Sequence, residues 1–390
     1  MAVAKEGHAT YFPLPDPGRR TIVGVGSALV DILIRAGDEF VRRTGAPKGG
    51  MVYFDSDTID GILAASGVEP VTVPGGAACN TMVGIGRLGG SSRFIGKRGK
   101  DAFGRFFEDG LKESGVDPVL VETEAPTGRV LSMISPDSQR TMLTCLGAAA
   151  ELTPSDVSAS VFEDAAVTLI EGYLVYNPEL FVHALQQARG AGSLVALDLA
   201  SFTVVEECME RFQQVVDDFV DILIANEDEA RAFTGFADEG AALDALLRHA
   251  DLAVLKLGPR GSRIAVDGRR IDIPVVGADG VIDTTGAGDL WASGFLFGLV
   301  NGWPLERCGR MASACGYEVC RVKGASIPEE GWGRIRRIMD PSTRHGIAAF
   351  DAVGPGARTE RIETESKRWR KNGGLQTDLP GKEARSSAAR

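Results

Sequence analysis

Residues 282–301 read IDTTGAGDLWASGFLFGLVN and join two kinds of sequence. Asp283-Thr284-Thr285-Gly286-Ala287-Gly288-Asp289 is a polar, glycine-containing turn; the run from Leu290 to Val300 is apolar, with small residues at Ala292, Ser293, Gly294 and Gly298. The combination predicts a glycine-rich loop feeding a buried helix. The first N–H groups of a helix have no intrahelical partner and lie at the positive end of its dipole, so glycines there let an anion approach bare backbone. Asp289, inside the first turn, is poorly placed merely to bind a phosphate and well placed to take a proton from a group that attacks one. The plain alternative is a tight turn before a core helix, with the acid serving as a helix-start charge.

The chain around this loop alternates. From Val167 onward, strand patterns near 167–171, 194–198, 221–224 and 252–257 are interleaved with helical patterns near 178–189, 203–217 and 226–234. Such alternation predicts a mostly parallel sheet with helices on both faces. Residues 262–273 add a hairpin closed by Asp267-Gly268, and helices starting near 286, 304 and 329 complete the body. Upstream, Thr21-Ile22-Val23-Gly24-Val25-Gly26 reads as a buried first strand, with Asp31 following it, and Val73 to Asn80 as a turn opening a tightly packed helix. Two β regions, 50–54 and 128–146 with a turn at Ser135-Pro136-Asp137-Ser138, stand outside the alternation and are expected to form a small separate sheet. Two nucleotide motifs fail on their spacing: Gly24-Val25-Gly26 has Leu29 where a dinucleotide fingerprint needs a third glycine, and Gly96-Lys97 has Ser91 where a P-loop needs one. The expected organisation is a leader over 1–20, one body over 21–340, and a disordered tail over 341–390 that is poor in large apolar residues.

Of the 390 residues 44% are hydrophobic, enough for a sizeable core. The net charge of −11 is unevenly spread: residues 341–390 hold ten Lys and Arg against six Asp and Glu, which leaves the body acidic. An acidic body argues against nucleic acid as a partner, but not against a nucleotide, which needs only a local site. Six scattered cysteines without a C-x-x-C pair suggest neither a zinc site nor a disulfide framework. No apolar run reaches membrane-spanning length and the N-terminus lacks a signal-peptide core, so a soluble, cytoplasmic protein with no membrane partner is expected.

Polar or glycine-rich segments fall where parallel strands are expected to end: Gly26–Asp31, Pro74–Asn80, Ala225–Glu229, Leu257–Gly261 and Asp283–Asp289. Ligands of open parallel sheets collect at those ends. With Gly75-Gly76…Asn80, Gly86-Arg87-Leu88-Gly89, Gly96…Asp101…Gly104, Asn226-x-x-Glu229 and the Asp283–Asp289 loop in this order, the chain resembles the ribokinase-like, PfkB-type family of small-molecule kinases over about residues 20–335. The resemblance implies an α/β fold, a ribokinase-like three-layer sandwich with a mostly parallel central sheet and a small β-sheet lid, whose strands would lie within about 48–55 and 119–146. It implies ATP-dependent phosphoryl transfer to an alcohol, with Asp289 as base, Gly286 giving the turn, and the N–H groups of Ala287, Gly288 and Asp289 forming the anion hole. Asn226 and Glu229 would organise Mg²⁺ through waters, and Asn226, Gly258, Arg260 and Gly261 would border the nucleotide. Asp283 and Thr285 match positions that in many members ligate a monovalent cation such as K⁺, with Gly324 in the paired loop; as residues they suit a structural turn equally well.

On the acceptor side, Asp31, Gly75, Gly76 and Asn80 resemble residues that hold sugar or ribose hydroxyls. A carboxylate that accepts two hydroxyls rejects analogues lacking them. Ala28–Ile32, Pro126-Thr127-Gly128, Ser138–Thr141 with Arg140, and Leu199–Phe202 sit closer to the adenosine-kinase branch than to ribokinase itself, although Ser27 stands where that branch commonly has Asn. Tyr173, Met142 and Phe202 would then line a base pocket, or else fill core as such residues do elsewhere. Arg140 reads equally as a solvated hairpin charge and as a lid contact to phosphate. Three functional readings stand: an adenosine-like nucleoside kinase, a ribokinase- or fructokinase-like sugar kinase, and a catalytically silent nucleotide or sugar sensor. The expected partners are ATP and a small-molecule acceptor, and the expected state is a monomer or a homodimer paired through lid edges.

Overall fold

The computed structural model describes residues 9–137 and 139–339; residues 1–8 of the expected leader, Ser138 of the expected turn and the expected tail over 341–390 lie outside the described residues. The chain opens with β1 (Thr21–Val25), β2 (Leu29–Arg35), α1 (Asp38–Arg43), β3 (Met51–Tyr53), α2 (Ser56–Ser66), β4 (Val71–Gly75) and α3 (Ala77–Arg87). It continues with β5 (Ser92–Gly99), α4 (Ala102–Glu113), β6 (Val116–Thr123), β7 (Gly128–Ile134) and β8 (Arg140–Cys145). Strand and helix then alternate, with a helix pair before the last strand, in β9 (Ala165–Glu171), α5 (Pro178–Gly190), β10 (Leu194–Asp198), α6 (Phe202–Phe219), β11 (Ile222–Asn226), α7 (Glu227–Thr234), α8 (Glu239–Leu246) and β12 (Leu252–Lys256). The hairpin β13 (Ser262–Val266) and β14 (Arg269–Ile273) and the helices α9 (Ala287–Val300), α10 (Leu305–Cys320) and α11 (Glu329–Met339) complete it.

A nine-stranded sheet runs β14-β13-β12-β11-β10-β9-β1-β5-β6, with every pair parallel except β12–β13 and β13–β14. Side chains of a strand alternate between faces, and here both faces are apolar. Ile222 and Ile224 of β11 join the core that contains Met82, Phe107, Phe295 and Cys308 of α3, α4, α9 and α10. Leu223 and Ala225 join the opposite one, with Phe181, Phe212, Phe233 and Leu243 of α5, α6, α7 and α8. This is the three-layer, ribokinase-like arrangement.

α9 is buried at every position from Leu290 to Val300. A helix without a polar face belongs in an interior. Its small residues let it lie there: a Cβ added at Gly294 would come 2.8 Å from Ala312 Cα on α10, and one added at Gly84 of α3 would come 2.4 Å from Ser293 Oγ.

A second, five-stranded sheet, β3-β8-β7-β2-β4, forms the lid. It corrects two expectations. β2 and β4 belong to the lid, so Asp31 sits on a lid strand, paired with Val73 and Val130, rather than at the end of a main-sheet strand. β1 and β2 are separated by only residues 26–28 and are similarly apolar, which hides the change of sheet. The segment expected as lid from 119 also divides. β6 pairs in parallel with β5 from Val116 to Thr123 and closes the main sheet, so lid pairing begins at Gly128. Residues 114–115 alone join α4 to β6, and that short link delivers the chain to the free edge of β5. Among the described residues, no helix is long and apolar enough to cross a membrane.

Candidate active site

Four neighbouring parallel strands close on a polar residue: β9 on Glu171, β10 on Asp198, β11 on Asn226 and β12 on Lys256. The start of α9 stands at this edge. Gly286 caps it in the left-handed region at φ 71°, and an added Cβ there would also come 2.7 Å from the Ala325 Cβ. Asp283 holds the loop: one carboxylate oxygen accepts from the Thr285 amide at 3.0 Å and hydroxyl at 2.6 Å, the other from the Gly324 amide at 2.9 Å. Burial works against the Asp283 charge, but these bonds and Arg140 keep its pKa below the usual carboxylate value. Of the three anion-hole N–H groups expected from the sequence, that of Ala287 donates to the Thr284 carbonyl at 3.2 Å. Those of Gly288 and Asp289 are first-turn donors of α9.

Asn80 Nδ2 donates to Asp289 Oδ2 at 2.9 Å, and the Thr81 hydroxyl donates to the Asp289 carbonyl at 3.1 Å. Asn80, expected to hold an acceptor hydroxyl, is thus engaged in orienting the candidate base. Burial pushes the Asp289 carboxyl up to about 7, with the Asn80 bond and Lys256 opposing and Asp198 and Glu171 adding to the rise. Lys256 Nζ lies 2.9 Å from Asp198 Oδ2, with the two side chains 13% and 14% exposed. Burial works against the ammonium, but Asp198, Glu229 and Asp289 outweigh it and hold the Lys256 pKa above its ordinary value.

Asp31 projects where β4 offers only glycine: a Cβ on Gly75 would fall 2.5 Å from the Asp31 Cγ. Burial raises this carboxyl to about 6, with the Arg140 charge opposing. Arg140 donates to the Ser132 hydroxyl at 3.1 Å and reaches Asp283 at 3.9 Å, so it connects lid and loop rather than projecting freely into solvent. Two of the chain crossings between body and lid, from β1 to β2 and from β4 to α3, are tied together by Glu171, which accepts from the Ser27 amide at 2.8 Å, the Ser27 hydroxyl at 2.6 Å and the Ala78 amide at 3.2 Å. Gly76, between β4 and α3, has φ 99°, and a Cβ there would strike the Ser27 carbonyl at 2.3 Å.

Tyr173 is half-buried, Met142 is half-buried on β8, and Phe202 opens α6 with 47% of its surface exposed. Asn226 and Glu229 form a capping box. Asn226 Oδ1 accepts from the amides of Asp228 and Glu229, both at 2.9 Å, and the Glu229 carboxylate accepts from Asn226 N at 2.8 Å and Nδ2 at 2.6 Å. Arg260 pairs with Glu227 and Glu239, while Gly261 takes φ 93°, where an added Cβ would come 2.1 Å from the Ile273 carbonyl. Gly258 begins the same turn at φ 53°. Lys256, Asp198, Glu171 and Thr81 are absent from the sequence expectations. The first three had a visible signal: a single charge closing an otherwise apolar strand. Among the described residues, no group of three or more His, Cys, Asp or Glu is arranged to hold a metal directly.

Residues 51–331 match the pfkB family carbohydrate kinase domain. An adenosine kinase from Sinorhizobium meliloti superposes with a TM-score of 0.75 at 31% identity, covering 83% of this chain and 100% of that one. A probable sugar kinase from Rhizobium etli CFN 42 superposes with a TM-score of 0.76 at 30% identity, covering 82% and 98%. The ribokinase of Arabidopsis thaliana is 28% identical over 326 residues, which are 79% of this chain and 78% of the relative. These relatives share a chemistry and differ in acceptor. With a loop that presents first-turn amides beside an oriented carboxylate, the chain belongs to the pfkB family of carbohydrate kinases and is a small-molecule kinase.

Proposed function

We propose that this kinase transfers the terminal phosphoryl group of ATP to a primary hydroxyl of a nucleoside, adenosine-like, or of a sugar. The observation that carries the reading is Asp289 at the start of α9, oriented by Asn80 at 2.9 Å and raised to about 7, so that it can accept a proton near neutral pH. The acceptor oxygen attacks the terminal phosphorus and gives its proton to Asp289. The bond to the bridging oxygen breaks, and ADP leaves. The first-turn amides of α9 stabilise the charge on the transferring group, which is where a loose phosphoryl-transfer transition state needs help. Asp31, raised to about 6, accepts the acceptor's hydroxyls once ionised.

Asn226 and Glu229 suit Mg²⁺ only through its waters, because their polar atoms already serve the capping box. That mode fits an ion that dehydrates reluctantly. When bound, the ion would supply charge neutralisation of the polyphosphate. Asp283 and Thr285, already bonded to one another, would offer a K⁺ ion the carboxylate of the loop pair.

The motif likeness and the 31% identical adenosine kinase support a nucleoside acceptor. One observation favours a free sugar: the Ser27 hydroxyl is committed to Glu171 at 2.6 Å and Phe202 is 47% exposed, which leaves a base pocket little polar or aromatic enclosure. ADP release measured with adenosine, inosine, ribose and fructose decides between them. Saturation by a nucleoside supports the first reading, saturation by a free sugar and no nucleoside reverses it, and release no faster than with ATP alone for all four sinks the acceptor class.

A further inference from the structure

We infer that Lys256 is the cation that meets the transferring phosphoryl group, and that Asp198 parks it there until the nucleotide arrives. The inference rests on the reading of the 286–289 loop as the anion hole. Lys256 ends β12, beside Asn226 on β11, and the turn containing Gly258 and Gly261 follows it directly. Its ammonium is 2.9 Å from Asp198 and its side chain is 13% exposed, so it is held rather than solvated. It also lies against the anion hole itself: a Cβ built on Gly288 would be 3.1 Å from Lys256 Nζ. Glycine at 288 therefore leaves the amine an open approach to the backbone that would receive the phosphate.

The charge count gives this placement its meaning. Lys256 interacts with Asp198, Glu229 and Asp289, and Asp289 in turn with Glu171, so carboxylates crowd the place where a polyphosphate must enter. Backbone amides at a helix start offer only partial positive charge, whereas an ammonium offers a full one on a flexible stem. In the transfer step the Lys256 ammonium donates a hydrogen bond to a non-bridging oxygen of the moving phosphoryl group and keeps its proton. The acceptor proton still goes to Asp289, and the electron pair of the broken P–O bond leaves on ADP.

A lysine that merely neutralises Asp198 would not distinguish among nucleotides by their phosphates, and this is what the test reads. The full chain and its Lys256→Met variant are titrated calorimetrically with AMP, ADP and the non-hydrolysable ATP analogue AMP-PNP, each with Mg²⁺. The expected result is a loss of about ten- to hundredfold for AMP-PNP, the scale of one hydrogen bond to a charged group, with AMP within about twofold of wild type. Equal loss for all three nucleotides, or none for AMP-PNP, overturns the inference. Removing Lys256 alone orphans a buried carboxylate, so Lys256→Met combined with Asp198→Asn is measured as well. The double variant removes both charges, and its loss should match that of the single one. Asp289→Asn keeps the two ideas separable: turnover that survives it refutes the base assignment without touching the Lys256 titrations.

Discussion

Replacing Asp289 by asparagine should cut turnover sharply and stabilise the fold together. The carboxyl is raised from 3.8 to about 7, chiefly by burial, which means that the folded state holds a proton the unfolded chain has released. Between those two values the ionised form is penalised by about 1.4 kcal/mol per pH unit, or about 4 kcal/mol in all. Because the side chain keeps some contact with solvent, a gain of about 1–3 kcal/mol is expected, a few degrees in Tm. The sign follows from linkage: wild type loses stability as pH rises from about 4 to about 7, whereas the asparagine variant has no such group to titrate. Asparagine can still accept from Asn80 through its carbonyl oxygen, so the hydrogen bond at 2.9 Å survives the change. Differential scanning calorimetry of both proteins, without ATP or Mg²⁺, should show a gap that is near zero at pH 4 and full by pH 8. ADP release should fall by about 10²–10⁴. A variant no more stable than wild type at pH 8, or one turning over within about tenfold of it, refutes the reasoning.

Three further outcomes are expected. kcat/KM should fall about tenfold per unit as pH drops below about 7, as Asp289 takes up its proton; a profile flat down to pH 5.5 would exclude it as the base. Gly75→Ala should push the Asp31 carboxyl from its place, since the new Cβ would lie 2.5 Å from its Cγ, and so raise KM for the acceptor about tenfold or more while KM for ATP holds in steady-state assays. Asn226→Ala should cost about 0.5–2 kcal/mol in urea unfolding through loss of the α7 cap, with Asn226→Ser recovering most of it; equal loss in both variants would show that the cap is not what matters.

Much of the body was legible because its elements are local. The turn and apolar run of 282–301, the alternation from β9 to β12, and the hairpin at Asp267-Gly268 each announce themselves within a few residues, through period, glycine and burial. The lid was only half legible, since β2 and β4 are strands like any other until their partners are known. Asn226-x-x-Glu229, expected as a Mg²⁺ pair, shows in the structure as a capping box of four hydrogen bonds.

What the amino-acid order alone determined was therefore the glycine-rich loop at the start of α9, the parallel sheet beneath it and, through the family resemblance, the phosphoryl-transfer chemistry they suit. What only the tertiary structure decided was which charges meet. Asn80 finds Asp289 across 209 residues, and Lys256 finds Asp198 across 58. Pairings of that range leave no periodic trace, because a parallel sheet gathers its strand ends at one edge however far apart they lie in the chain. The same gathering sets three strand-end residues that no motif marks, Glu171, Asp198 and Lys256, beside Asn226 as the wall of the candidate site.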